Sequence, residues 1–150
     1  MGKRARIIIV DDDETIRKTM KAILEDEGYL VDTTVTGAEA VQKTRKTPYN
    51  IALLDIRLPD IEGVELLRLI SDGVPKTRKI MITGYPSMQN AIAALNKNAD
   101  AYLIKPVEVE TLLRTVKNQL QQQEDEREFS ERKVSEFIES RVKDVSVNDR

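Results

Sequence analysis

The chain contains no cysteine and no histidine. Without cysteine there is no disulfide framework, no thiol nucleophile and no thiolate zinc site. Without histidine there is no Ser-His-Asp relay, no phosphohistidine carrier and no imidazole-bound metal. Any metal must be held by oxygens, which favours hard cations such as Mg²⁺ or Ca²⁺. An excess of one charge is also missing. Lys+Arg number 24 against 26 Asp+Glu, a net charge of −2, and such a balance leaves no basic footprint for nucleic acid. Apolar runs are short. The longest is five residues, at 91–95, too short for a membrane span or a signal-peptide core. Arg6 stands where an N-myristoylation motif needs Ser or Thr. The expected compartment is therefore the cytoplasm, with no membrane partner. What is present, 40% hydrophobic and 33% charged residues in a chain of 150, fits one globular domain with some chain left over.

The hydrophobic period alternates along the chain. Residues 7–10 form a continuous β-branched run, the signature of a strand buried on both faces. From Asp13 the period becomes helical, with Ile16, Met20, Ile23 and Leu24 on one side, and Gly28 is placed to stop that helix. Residues 29–35 read as a more polar edge strand. Residues 38–46 read as a helix ended by Pro48. Residues 51–54 are a second buried strand, 58–63 a loop, and Val64, Leu67 and Ile70 mark a third helix. A turn at 73–76 leads to a strand at 80–82. Ser87 is a helix N-cap, with Asn98 at the far end of that helix. Residues 101–104 are read as the last buried strand, and Val109, Leu112, Leu113, Val116 and Leu120 line the closing helix. Strands alternating with helices of this length predict βαβ units, a parallel sheet and helices on both faces. Near residue 121 the composition turns wholly polar, and the domain boundary is placed there: 1–120 the domain, 121–150 a charged, helical linker or tail.

Four of these strands end in a reactive side chain. Asp11 and Asp12 follow the first, Asp55 the second, Thr83 the third and Lys105 the fourth. In open α/β sheets the ligand crevice lies outside the carboxyl ends of the strands. Three carboxylates, a hydroxyl and an ammonium thus converge. Carboxylates this close repel and call for a hard divalent cation. A phosphoryl group would meet metal, ammonium and hydroxyl together. Each piece alone has an ordinary explanation: a helix N-terminus for the acidic run, a loop cap for Asp55, a turn for Thr83, a solvated Lys105. Their conjunction at the same ends of four strands does not.

The segments Ile-Ile-Val-Asp-Asp-Asp (8–13), Leu-Leu-Asp-Ile-Arg-Leu-Pro-Asp-Ile-Glu-Gly (53–63), Met-Ile-Thr-Gly (81–84) and Ala-Tyr-Leu-Ile-Lys-Pro (101–106) resemble the CheY-like receiver domain of two-component response regulators. The resemblance covers roughly residues 5–120. It implies a doubly wound five-stranded parallel sheet in the flavodoxin-like order 2-1-3-4-5, here with a C-terminal helical extension. It implies Asp55 as phosphoacceptor, and Asp11, Asp12, Asp55 and the backbone carbonyl of Arg57 as the Mg²⁺ site. Lys105 would contact the phosphoryl oxygens, and Thr83 and Tyr102 would form the switch pair. Without the resemblance, a Tyr on a short strand would be read as packing. The family also implies a cis Lys105–Pro106 bond and a histidine kinase or phosphotransfer protein as donor. It implies no turnover chemistry beyond self-catalysed transfer and self-dephosphorylation. Arg57 and Tyr85 are placed by resemblance beside the path of the hydrolytic water. Asn98, Asn50 and the Tyr85-Pro86 pair depart from the common pattern.

Two other readings compete. Asp11-Asp12-Asp13-Glu14-Thr15 fits the nucleophile motif of haloacid-dehalogenase-like phosphatases, which would need a further acidic motif on a strand after Lys105 and gives Asp55 no role. A receiver-like interaction module independent of phosphorylation would ordinarily lack part of the acidic set or the lysine. Residues 121–150 carry nine acidic and six basic side chains, so no basic output module is expected within them, and the downstream effector stays unnamed. Val134, Phe137, Ile138, Val142 and Val145 form an amphipathic stripe in the tail, supported by Glu128–Arg132 and Glu139–Lys143 spacing. It is read either as a frayed linker or as a helix pairing with a partner or a second copy, a homodimer.

Overall fold

The computed structural model describes residues 4–73, 75–84 and 99–148, and side chains among them except Val64 and those beyond 142. The helix expected from Ser87 to Asn98, and the Tyr85-Pro86 pair before it, lie outside the described residues. The elements are β1 (Arg6–Val10), α1 (Glu14–Asp26), β2 (Leu30–Thr34), α2 (Gly37–Lys46), β3 (Ile51–Asp55), α3 (Gly63–Leu69), β4 (Arg78–Thr83), β5 (Ala101–Ile104) and α4 (Val109–Asn148). All strands pair in parallel, in the order β2-β1-β3-β4-β5. The order, the parallel pairing and the helical extension agree with the sequence expectation.

Strand periodicity sorts the core into two layers, because alternate residues face opposite sides of a sheet. Ile7, Ile9, Ile51, Leu53, Ile80 and Ile82 face α1 and α4, packing on Met20, Leu24, Leu112 and Val116. Ile8, Val10, Ala52, Leu54 and Met81 face α2 and α3, packing on Ala40, Leu66, Leu67 and Ile70. The central strands are covered on both sides, which is why they read as unbroken apolar runs. Local signals end the helices as expected. Asp13 caps α1, its carboxylate accepting from the Ile16 N–H at 3.0 Å, and Gly28 follows that helix with φ of 96°. A left-handed residue there suits glycine alone.

β5 corrects the expectation of a wholly buried strand. It hydrogen-bonds to β4, ends the described sheet, and leaves Tyr102 and Ile104 39% and 44% exposed. A four-residue apolar run looks the same in sequence whether a sheet covers one face or two. The wholly polar stretch after 121 likewise does not end the last helix. α4 is one helix of 40 residues, about 60 Å long at 1.5 Å per residue. It starts beside the carboxyl ends of the strands and runs back past their amino ends.

At that base a polar cluster fastens the helix. Arg78, at the start of β4, donates to Gln119, Gln122 and Glu126, at 2.8, 2.8 and 2.7 Å. Asn50 donates to Gln123 at 2.9 Å, and Gln123 donates back to the carbonyls of Asn50 and Lys76. Asn50 also accepts the Arg6 N–H, so it needs a donor and an acceptor on one side chain. That accounts for an amide in place of a carboxylate. Beyond Arg127 the described side chains are exposed or half-exposed. The described ion pairs within the first turns of the tail join Arg127 to Glu124 and to Glu131, rather than Glu128 to Arg132.

Candidate functional site

β1 and β3 are adjacent central strands, so their ends deliver Asp11 and Asp55 to one point. Both are nearly inaccessible, at 1% and 6% exposure, while Asp12 lies exposed at the mouth. One carboxylate oxygen from each of the three lies within 4.8 Å of the others. The loop that holds them is tied down locally. The Asp13 N–H donates to Asp11 Oδ1 at 2.9 Å, and Arg17 donates to the Asp11 carbonyl at 3.0 Å. The Arg57 N–H donates to Asp55 Oδ1 at 3.2 Å.

Lys105 comes from the loop after β5. Its N–H donates to the Thr83 carbonyl at 2.7 Å, which aims the side chain inward. Its Nζ is 3.1 Å from Asp55 Oδ2 and 3.1 Å from Asp11 Oδ2. Burial pushes the Asp55 carboxyl above its ordinary range and the Asp11 charge adds to that, while Lys105 pulls the other way and is outweighed. For Lys105, burial favours loss of the proton, but the Asp11 and Asp55 carboxylates win and hold its pKa up. The ammonium is therefore a fixed positive charge.

One ammonium does not satisfy this set of oxygens. Asp11 Oδ2 is buried and has no hydrogen bond of good geometry, although Lys105 is within ion-pair distance. A buried oxygen left in that condition is costly. An oxygen-only donor set facing it suits a hard cation, so the residues fit the divalent ion that the sequence predicted.

Thr83 ends β4, fully buried, and Tyr102 sits outward on the neighbouring β5. The expected pair thus occupies adjacent strands on the Lys105 side of the crevice. Tyr85 lies outside the described residues. The Lys105–Pro106 bond is cis, in line with the expectation. Among the described residues past Lys105 the one element is the helix α4, so the strand that a haloacid-dehalogenase arrangement needs is not among them.

Two supporting residues escaped the sequence reading. Gly63 opens α3, and a Cβ there would lie 2.3 Å from the Asp55 carbonyl oxygen, so only glycine lets α3 approach the site strand. Asp60 accepts the Gly37 and Ala38 N–H groups at 2.8 and 3.0 Å and holds the first turn of α2 from the loop after Asp55. Its signal lies in the run Leu-Pro-Asp-Ile-Glu-Gly, which reads as loop chemistry and as part of the 53–63 resemblance segment but does not by itself show a contact with α2.

Known proteins share this architecture. A response regulator receiver domain protein (CheY-like) from Methanospirillum hungatei JF-1 superposes with a TM-score of 0.76 at 46% identity, covering 83% of this chain and 99% of that one. The "Uncharacterized transcriptional regulatory protein YkoG" of Bacillus subtilis (strain 168) is 32% identical over 80% of this chain and 53% of its own length. The "Response regulator ArlR" of Staphylococcus saprophyticus is 33% identical over 79% of this chain and 53% of its own. The chain therefore spans about half the length of these two curated relatives. None of the described helices is long and apolar enough to cross a membrane. Residues 7–117, which take in the sheet but for Arg6 and the whole acidic crevice, match the response regulator receiver domain family, and the chain belongs to that family.

Proposed function

We propose that the chain is a phosphorylation-switched receiver in which Asp55 accepts a phosphoryl group from the phosphohistidine of a partner histidine kinase or phosphotransfer protein. The observation that carries this reading is Lys105 Nζ, equidistant at 3.1 Å from Asp55 and Asp11 in a crevice of three converging carboxylates. An Asp55 oxygen forms the new P–O bond while the donor's P–N bond breaks, and the imidazole leaves with a proton. The Lys105 ammonium offsets charge on the phosphoryl oxygens. The Asp11, Asp12 and Asp55 carboxylates and the Arg57 carbonyl hold Mg²⁺, which when bound neutralises charge on the transferring group. Thr83 then turns its hydroxyl toward the phosphoryl oxygens and Tyr102 moves inward from its exposed position. A partner reads the altered face.

The reaction is a self-catalysed transfer followed by slow hydrolysis, and the protein turns over no substrate of its own. We place it in the cytoplasm. Residues 1–120 act as the receiver and 121–150 as the tail, with Gln122, Gln123 and Glu126 joined to the receiver by their contacts. YkoG is named a transcriptional regulatory protein, so the expectation of no nucleic-acid partner does not extend to the protein as a whole. An output acting on transcription fits the relatives. The test is incubation with a small acyl phosphate and Mg²⁺, read by intact-mass spectrometry. The wild type gains one phosphoryl group and Asp55→Asn gains none. An equal adduct on the variant overturns the assignment.

A further inference from the structure

Asp11 is hydrogen-bonded at every polar atom except one. Its N–H donates to the Thr34 carbonyl at 3.2 Å, and its Oδ1 accepts the Asp13 N–H at 2.9 Å. Its carbonyl lies past the last residue of β1 and accepts from the Arg17 guanidinium at 3.0 Å. Oδ2 is the atom left over, and it faces the crevice beside Lys105. Arg17 stands one turn into α1, which begins at Glu14. The dipole of a helix favours anions at that end, so the helix itself does not account for a cation there. The described hydrogen bond of this half-buried guanidinium goes to a backbone carbonyl rather than to a carboxylate.

We propose that Arg17 is a positioning residue for the cation site, holding the peptide between Asp11 and Asp12 so that both carboxylates face one point. The inference rests on these carboxylates holding Mg²⁺. The Asp11 carbonyl and the Asp12 N–H belong to one rigid plane. Fixing that carbonyl fixes the direction in which the chain enters Asp12, and with it the carboxylate that stands exposed at the mouth. Among the described residues none hydrogen-bonds the Asp12 carboxylate, so its backbone sets where it points. The three carboxylates repel one another, and an acid on an unfixed backbone would swing away from the other two. Removing a group that orients metal ligands typically costs about ten- to a hundredfold in metal affinity. Charge alone predicts the opposite. Taking a cation from the edge of the crevice would strengthen the pull of its carboxylates on Mg²⁺. The sign of the effect therefore separates positioning from electrostatics.

The test is a calorimetric Mg²⁺ titration of the 150-residue chain and two variants. Arg17→Met keeps a long side chain and loses the charge and the donors, while Arg17→Lys keeps the charge and a donor. Arg17→Met should raise the Mg²⁺ dissociation constant about tenfold, and Arg17→Lys less than about threefold. In phosphorylation by a small acyl phosphate, Arg17→Met should move the half-saturating Mg²⁺ concentration upward by the same factor and still approach the wild-type rate at saturation. Damage to the fold would instead lower that maximum. In an Asp12→Ala background, Arg17→Met should weaken Mg²⁺ binding less than about twofold, because the carboxylate it positions is gone. Unchanged or tighter binding by Arg17→Met overturns the proposal, as does a loss of about tenfold in the Asp12→Ala background. A wild type that binds no Mg²⁺ overturns the Mg²⁺ site itself, and this inference with it.

Discussion

A carboxylate that is to attack phosphorus must be ionised, yet burial and the neighbouring Asp11 both push Asp55 toward its protonated form. The folded state thus spends stability to keep Asp55 charged at neutral pH. An acid whose pKa is raised by folding stabilises the protein only while it is protonated, and loses that contribution as pH rises through the raised value. Asp55→Asn should therefore raise stability at pH 7 by about 1–2 kcal/mol, the size usual for a single site. The gain should fade in urea titrations as the pH falls below the raised pKa of Asp55. A cation does the same work in the wild type. Mg²⁺ at ten times its dissociation constant should add about 1.4 kcal/mol, seen as a higher Tm, and Asp12→Ala should remove most of the increment. Gly63→Ala should cost more than about 2 kcal/mol and slow phosphorylation, because its Cβ collides with the Asp55 backbone. The three acids and Lys105 were legible in the sequence because Asp11-Asp12, Asp55 and Lys105 each stand at the end of an apolar run, a pattern that survives without coordinates. Gly63 was not, because its neighbour is set by how α3 folds back over the strand.

Two helices, α2 and α4, are held by residues from elsewhere in the chain in addition to their local signals. Asp60 caps α2 from the loop after β3, and the Gly37 and Ala38 N–H groups hold its carboxyl below the ordinary carboxylate value. A carboxylate of that kind contributes stability above its unfolded pKa and loses it as pH falls through the lower folded value. Asp60→Ala should lower Tm at pH 7, and the difference should shrink on acidification toward pH 3. Arg78 fixes α4 to the base of the sheet through Gln119, Gln122 and Glu126 while remaining 10% exposed. Removing a largely buried, multiply bonded cation leaves its partners unsatisfied. Arg78→Ala should cost about 2–3 kcal/mol in urea denaturation and speed amide exchange across residues 119–127. This cluster was invisible in the sequence. Gln119, Gln122 and Gln123 carry no apolar signal, and their partners lie some forty to seventy positions away. β5 misled for the opposite reason, since its run is apolar although one side of it is open.

The molecule has two working ends, set by the polarity of a parallel sheet. The carboxyl ends of the strands hold the acidic crevice, and α4 carries the chain away from it past the opposite edge. Charge placed on the tail should therefore not reach the acceptor. A Phe137→Asp, Ile138→Asp double variant should take up phosphoryl groups from an acyl phosphate at the wild-type rate, measured by intact mass over time. The first turn of α4 and Ile138 are about 45 Å apart along the helix. A phosphodonor seated over Asp55 and a protein gripping the tail therefore share no residue and exclude no common volume. The two can occupy one receiver at the same time, as a ternary complex. Their binding free energies add unless a conformational change of the receiver itself links them. Loading with phosphate then requires no release of whatever the tail already holds.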